Sequence, residues 1–600
     1  MLDTIIRSVR LVQSDARYKL LLLPLIIFIS SSLDALGIAA VFPFIKVLID
    51  PQSAASLPFL PEALAWLGVG VNENVIVPMA LTLIAFFLGK NIFLIYADYW
   101  RNGFSNTCQV ELTTQLLRGY IRSPFVFHLK RNRSELLRNI NNSVPIVFKT
   151  VFLSFIEICI EVLTALAIFV TLLAVNPDIT IAIGVLVSGL FLLFTLVLPK
   201  IMRHFGIQAN IFSEAIVRTV LQALGAVKEI RVLGRERELE REFESIASKY
   251  GRVKTVTQTL HEMPRHLTEV VLISALVGAV FMISDSGEPA SDLIATLGMI
   301  GAAAFRMVPS VNRTISAVNN INYGRAAVEN IFEHFMEFRG EDIRIHGDGS
   351  PPLPFNAAIT LSNVGFAYPD VETSSLSSIF LSVEKGQSVG IVGRSGAGKT
   401  TLVNILLGLL EPSTGSLKID DTLITPENVR RWQKNIGFVS QDIFLTDDTL
   451  RRNIALGVAD QDISEAQIDH AVATAQLREF VDSLNDGVET IVGENGVRLS
   501  GGQRQRIGVA RALYHHPDVL IFDEATSALD SETEAKITET LDMLRGKKTL
   551  IIIAHRMTTV QNCDFLVFME NGVIVETGSY YQLIESNDSF RQMVSGGSLD

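Results

Sequence analysis

Apolar residues are unevenly spread along this 600-residue chain. Before about residue 310 they gather into six stretches, roughly 20–47, 75–96, 150–175, 179–199, 269–284 and 293–309. A helix that crosses a bilayer needs about 20 mostly apolar residues, so each stretch is predicted to be a spanning helix. Only the fourth is a clean uncharged run. The others contain or adjoin Asp34, Lys90, Glu157, Glu161, Glu269 and Arg306, which a helix bundle tolerates where they face a cavity or a partner. The polar segments 101–149 and 200–265 have few Gly or Pro residues and read as continuations of the spanning helices. Beyond residue 355 the pattern changes. Short apolar runs alternate with helical stretches, which predicts an α/β domain.

Charge orients the first half. The loops 50–74, 176–178 and 285–292 hold no Lys or Arg, whereas segments 1–19, 101–149 and 200–265 are rich in both. Cytoplasmic loops carry that excess, so both termini and the α/β domain are expected inside; Lys46 is a mild exception. The formal net charge of −12 gives no general attraction to nucleic acid. Cys108, Cys159 and Cys563 lie far apart without metal-ligand spacing and read as free thiols. Residues 1–19 lack the short apolar core of a secretory signal. Between Pro58, Pro61 and Gly68, residues 62–67 form either a short interfacial helix presenting Trp66 or a plain turn. Gly340, Gly347, Gly349, Pro351, Pro352 and Pro354 interrupt regular structure. The predicted organisation is a membrane domain at 1–338, a linker at 339–354 and the α/β domain at 355–600.

Three motifs in the second half carry chemistry. Gly393-Arg394-Ser395-Gly396-Ala397-Gly398-Lys399-Thr400 is a phosphate-binding loop. Its glycines let the backbone aim amides at phosphate oxygens, and the following helix adds a positive dipole end. Lys399 is placed for the β- and γ-phosphates and the Thr400 hydroxyl for Mg²⁺. The apolar run 519–522 ends in Asp523-Glu524, and Leu499-Ser500-Gly501-Gly502-Gln503 stands between the two.

This ordered trio resembles the ATP-binding cassette (ABC) ATPases. With the membrane half, the chain resembles an ABC exporter half-transporter: six helical spans fused to an α/β P-loop cassette. The resemblance implies ATP and Mg²⁺ as cofactors and gives roles residue by residue. Tyr368 would stack on adenine. Gly393, Ser395, Gly396, Gly398, Lys399, Thr400 and Thr401 would hold the phosphates. Thr400, Gln441 and Asp523 would serve Mg²⁺. Glu524 would be the general base, Gln441 would also sense the membrane half, and His555 would lie near the γ-phosphate. Asp530 would belong to the D-loop and Glu494 to a cross-talk loop. Ser500, Gly501, Gly502 and Gln503 would contact nucleotide held by another cassette, so a second copy of the chain is the implied partner; a heterodimer is the other arrangement. Coupling helices are expected near 124–129 and 213–224.

A narrower resemblance concerns cargo. Residues 33–44, 264–269 and 305–310 are similar to PglK-type flippases, which move polyprenyl-pyrophosphate-linked oligosaccharides outward and carry a short external helix after the first span. Fixed cations for a pyrophosphate would be Lys90, Arg265 and Arg306; pairing of Arg265 with Glu269, one helical turn on, is the alternative. The other functional classes are an exporter of peptides, drugs or other lipids on the same scaffold, and a non-transport ABC ATPase, which six spans oppose. The family implies a bacterial inner membrane.

Overall fold

The computed structural model describes residues 1–12, 18–49, 76–175, 177–284, 290–340, 350–369, 373–493, 496–524, 531–554 and 556–595. The chain divides into two units, one of 1–123 with 127–343, the other of 124–126 with 344–600. The expected interfacial helix at 62–67 and residues 341–349 of the linker lie outside the described residues.

The first unit is helical. Its elements are α1 (Leu2–Arg10), α2 (Leu23–Ile49), α3 (Ile76–Arg122), α4 (Phe125–Lys130, whose first two residues fall in the second unit), α5 (Arg133–Arg138), α6 (Leu153–Val175), α7 (Pro177–Gly225), α8 (Val227–Leu233), α9 (Glu236–Ser284) and α10 (Ala290–Gly340). The expected spans map onto six long helices, α2, α3, α6, α7, α9 and α10; the first and third begin three residues before α2 and α6, and residue 75 of the second lies outside the described residues. Among the described residues, Tyr18–Gly37, Ile76–Arg122 and Arg133–Val170 are long and apolar enough to cross a membrane. The polar segments do continue the spans as helix, since α3, α7, α9 and α10 run for 47, 49, 49 and 51 residues. One expectation is displaced. Residues 213–224 are not a separate short helix but the end of α7; the break comes after Gly225, and α8 closes at Gly234 in the left-handed region.

Between α5 and α6 the backbone widens into two π turns, Asn139–Ser143 and Ile146–Phe152, on either side of Pro145. Proline has no N–H to give and its ring crowds the carbonyl one turn back. A π turn relieves that crowding without ending the helix.

The second unit holds two sheets. A four-stranded antiparallel sheet has the order β2-β1-β4-β5, from β1 (Ala358–Phe366), β2 (Leu376–Glu384), β4 (Thr414–Ile419) and β5 (Thr422–Leu423). A six-stranded sheet has the order β10-β9-β3-β8-β7-β6, from β3 (Ser388–Gly393), β6 (Ile436–Val439), β7 (Val519–Asp523), β8 (Thr549–Ile553), β9 (Phe565–Glu570) and β10 (Val573–Gly578). Strands β3, β6, β7, β8 and β9 are parallel, and β10 is antiparallel to β9. Side chains alternate between two cores. Val519, Ile521, Ile551 and Ile553 enter one, and Leu520, Phe522, Leu550 and Ile552 the other. Burial on both faces explains why these strands read as unbroken apolar runs.

The start of this unit is pinned by one carboxylate. Asp420 accepts the backbone N–H groups of Asn356, Ala357 and Ala358 at 2.8, 2.8 and 3.0 Å. Those bonds favour the charged form and hold its carboxyl below the ordinary value. A depressed carboxylate adds stability above its unfolded pKa, about 3.9, and that stability is lost as pH falls through the folded value. Replacing Asp420→Asn is expected to cost about 1 kcal/mol at pH 7, discounted for solvent screening. That is about 2–4 °C for a domain of this size. Calorimetry should show the difference from wild type closing at strongly acid pH.

Candidate functional site

The parallel strands β3, β8 and β7 lie side by side, and their C-terminal ends bring the chemically active residues together. The loop leaving β3 reaches helix α11 (Lys399–Leu406) through Gly396 and Gly398, both at positive φ, +80° and +97°. At Gly393 the constraint is space: a Cβ there would lie 2.2 Å from the Met569 carbonyl oxygen of β9. Among the described residues no side chain caps α11, which leaves its first-turn amides for an anion. Ser395, Gly396 and Thr400 are exposed at this end.

Lys399 is buried and folds back beneath the loop. Its Nζ donates to the carbonyls of Gly393 at 2.7 Å and Arg394 at 3.2 Å. Burial pushes its pKa down, and the charges of Glu524 and Asp523 oppose that shift. Thr401 faces inward, its hydroxyl 3.2 Å from that of Tyr368. Tyr368 is half-buried and meets Phe366 edge-on, with ring centroids 5.0 Å apart.

Asp523 ends β7 beside Ile553 of β8. Glu524 follows with φ +51°, a left-handed conformation that side chains other than Gly, Asn or Asp rarely adopt. Its N–H donates to Ile553 O at 3.1 Å, and its Oε2 accepts from Gln441 Nε2 at 2.7 Å. Lys399, Asp523, Glu524 and Gln441 therefore form one constellation. Thr400, Asp523 and Gln441 supply hard oxygen donors. A few such groups plus substrate phosphates suit Mg²⁺, so the residue set fits that ion.

Ser500 caps helix α12 (Gly501–Tyr514). Its hydroxyl accepts Gln503 N–H, and Gln503 Oε1 accepts Ser500 N–H at 2.8 Å. Gly501 is exposed and Gly502 buried. His555, Asp530 and Glu494 lie outside the described residues.

The predicted membrane cations divide differently. Lys90 is bonded to Asp34 at 2.9 Å, with both side chains largely buried, and lies 4.9 Å from the Phe87 ring centre. Among the described residues Arg265 has no ion-pair partner, and both it and Glu269 are exposed. The Arg306 side chain lies outside the described residues. Sequence reasoning missed Arg313, two turns beyond Arg306 on α10. Its Nε lies 2.8 Å from Oε1 of buried Glu161 on α6, and Ser310 Oγ donates to the Glu161 carbonyl at 3.2 Å. The seven-residue spacing from Arg306, set against an acid in the third span, is the signal that would have found it.

Comparison with known proteins agrees with this layout. Residues 37–300 match the family described as the ABC transporter transmembrane region, and residues 376–527 match the ABC transporter family. Relatives include an ATP-dependent lipid A-core flippase of Chromobacterium violaceum, 30% identical, with 88% of this chain and 89% of that protein aligned. The flippase of the same description from Coxiella burnetii is 30% identical over 86% of each. That of Bordetella pertussis is 33% identical over 72% of this chain and 69% of its own length. Among solved structures, a bacterial Atm1-family ABC exporter with ATP bound superposes with a TM-score of 0.78 at 22% identity, over 97% of this chain and 98% of the other. That last likeness is one of fold.

Replacing Gly393→Ala forces the end of β3 away from β9. The variant is expected to lower the melting temperature of the second unit and to weaken ATP binding at least about tenfold. Differential scanning calorimetry and titration calorimetry with ATP check the two effects.

Proposed function

Because this chain belongs to the ABC transporter family, with the transmembrane region and the ATPase on one polypeptide, we propose that it flips a phosphate-bearing glycolipid across the membrane. Its activity is ATP hydrolysis coupled to transport. The observation that carries the cargo reading is the extent of the likeness to lipid A-core flippases, nearly the whole length of both chains at 30% identity. Lipid A and polyprenyl-pyrophosphate oligosaccharides share their chemistry: acyl or prenyl chains, sugars and phosphate. The charged groups of the spanning helices support such a cargo. A guanidinium matches phosphate geometry, and Arg265 and Arg306 are its carriers. Lys90 and Arg313 are the weaker candidates, since Asp34 and Glu161 already neutralise them.

The ATP site works through residues already described. The amides of residues 396–400 and Lys399 bind the phosphates; to do so Lys399 exchanges its loop carbonyls for phosphate oxygens. Mg²⁺, when bound with ATP, neutralises charge on the transferring phosphoryl group, and Thr400, Asp523 and Gln441 would hold it. Glu524 accepts the proton of the attacking water, and Gln441 orients its carboxylate. Tyr368, steadied by Thr401, offers its ring to adenine. Ser500, Gly501, Gly502 and Gln503 serve the nucleotide of a second copy, with Asp530 and His555 completing the seam. The functional unit is then a homodimer. Helix α8 supports this, because among the described residues it has no buried position and Val232 and Leu233 stand exposed. Cation-rich segments 1–19, 101–149 and 200–265 support an ATPase on the cytoplasmic side, and the likeness to bacterial lipid A-core flippases supports an outward flip across a bacterial inner membrane.

Replacing Glu524→Gln is expected to retain ATP binding and lower turnover at least about 100-fold. An unchanged rate would remove Glu524 as the base. In proteoliposomes, lipid A-core and a polyprenyl-pyrophosphate oligosaccharide are tested separately for stimulation of ATPase activity. Stimulation by either supports a phosphate-bearing glycolipid and distinguishes the two; stimulation only by peptides or amphipathic drugs overturns the reading. Arg265→Ala and Arg306→Ala should each raise the half-maximal glycolipid concentration about tenfold.

A further inference from the structure

The first unit is held together in two different ways. One apolar core joins α1, α2, α3, the π turns, α6 and α10 through Phe104, Leu112, Val147, Phe148, Ile321 and Val328 among others. Among the described residues neither α7 nor α9 enters it. Those two helices share a separate, smaller cluster with α10, built on Phe194, Leu198, Val311 and Ile315. Where α7 passes the first body near α5, the contacts are polar. Arg138 bonds Glu214 at 2.7 Å and reaches the Asn210 carbonyl at 3.5 Å, and Asn142 donates to Ser213 at 3.0 Å. Asn210, Ser213 and Glu214 are spaced as one stripe along α7.

The two sides of this seam differ. Arg138 is anchored. Its second amino group donates to Asn139 Oδ1 at 3.2 Å, and fully buried Asn139 in turn donates to the Tyr120 hydroxyl of α3 at 3.3 Å and contacts His334 of α10. Glu214 is more open, at 28% exposure against 8% for Arg138. Among the described residues Arg138 Nε is buried without a hydrogen-bond partner, which leaves a donor for a second arrangement. Parting an apolar core costs in proportion to its area. A solvent-reachable ion pair exchanges its partner for water at small cost.

We propose that Arg138 and Glu214 form a latch between the α5 end of the first body and α7, opened and remade in each transport cycle while the apolar cluster that joins α7 and α9 to α10 stays packed. Both are positioning residues of the helical unit. The inference rests on ATP-driven transport and is independent of the cargo.

The test uses spin labels on the exposed neighbours, Asn141→Cys and Ile211→Cys, in the full chain with Cys108, Cys159 and Cys563 replaced by Ala. Pulsed electron paramagnetic resonance is recorded in lipid, nucleotide-free and trapped with Mg·ATP and vanadate. The expected result is a difference of about 5 Å, one helical turn, between the two states. Adding Glu214→Gln should shift weight toward the longer distance in the state where the latch is made. Identical distances in both states overturn the proposal, as does a Glu214→Gln distribution indistinguishable from that with Glu214. Because Glu214 is partly solvated, a loss of folding is not the expected consequence of the change, and a merely structural ion pair would not move with nucleotide.

Discussion

A bilayer interior offers no hydrogen-bond partner to a backbone amide or carbonyl, and the first half of this protein follows from that fact. Every described crossing is a helix, which satisfies its polar groups within itself. Interruptions are handled locally: Pro43, Pro199, Pro264 and Pro309 all sit inside long helices. The same shortage governs side chains. Lys90 is answered by Asp34, and buried Glu161 by Arg313. Such pairs are weak as sources of stability, because desolvation offsets attraction. Breaking one of them strands a charge, so they fix which helices are neighbours.

In the cassette the constraint reverses. Here the sheet buries its backbone by pairing strands, and both faces are covered by apolar side chains. The central strands β3, β7 and β8 are buried along their length, and their C-terminal ends carry the polar groups. At the ends of β3 and β7, Lys399, Asp523 and Glu524 converge although more than a hundred residues separate the first from the others. Lys399 is bonded to loop carbonyls and Glu524 to Gln441, so a phosphate entering this end of the sheet would compete with internal partners.

Much of this was legible in the sequence because it obeys local rules. Apolar length gave the spans, and uninterrupted helix-forming polar segments gave their extensions. Glycine spacing gave the phosphate loop, down to Gly393, where the neighbouring Met569 carbonyl leaves no room for a side chain. What was not legible depends on partners distant in the chain. Lys90 reads as a free cation until Asp34, 56 residues earlier, is seen beside it. Arg313 escaped notice because it lies just past the apolar stretch, and only its pairing with Glu161 reveals it. The end of α7 was misjudged because residues 213–224 have ordinary helical composition; Gly225 is where the helix stops, and Gly234 ends the short helix beyond it.

Helix length has a mechanical meaning. At about 1.5 Å per residue, the 49 residues of α7 make a rod of about 74 Å. A hydrocarbon layer of about 30 Å can enclose less than half of it. If the fulcrum lies at the edge of that layer, a tilt of about 10° sweeps the remaining 40 Å or so through about 7 Å at the tip. A stiff beam of this kind converts a small angular change among tightly packed segments into a displacement several atoms wide at its far end, and does the reverse with equal efficiency.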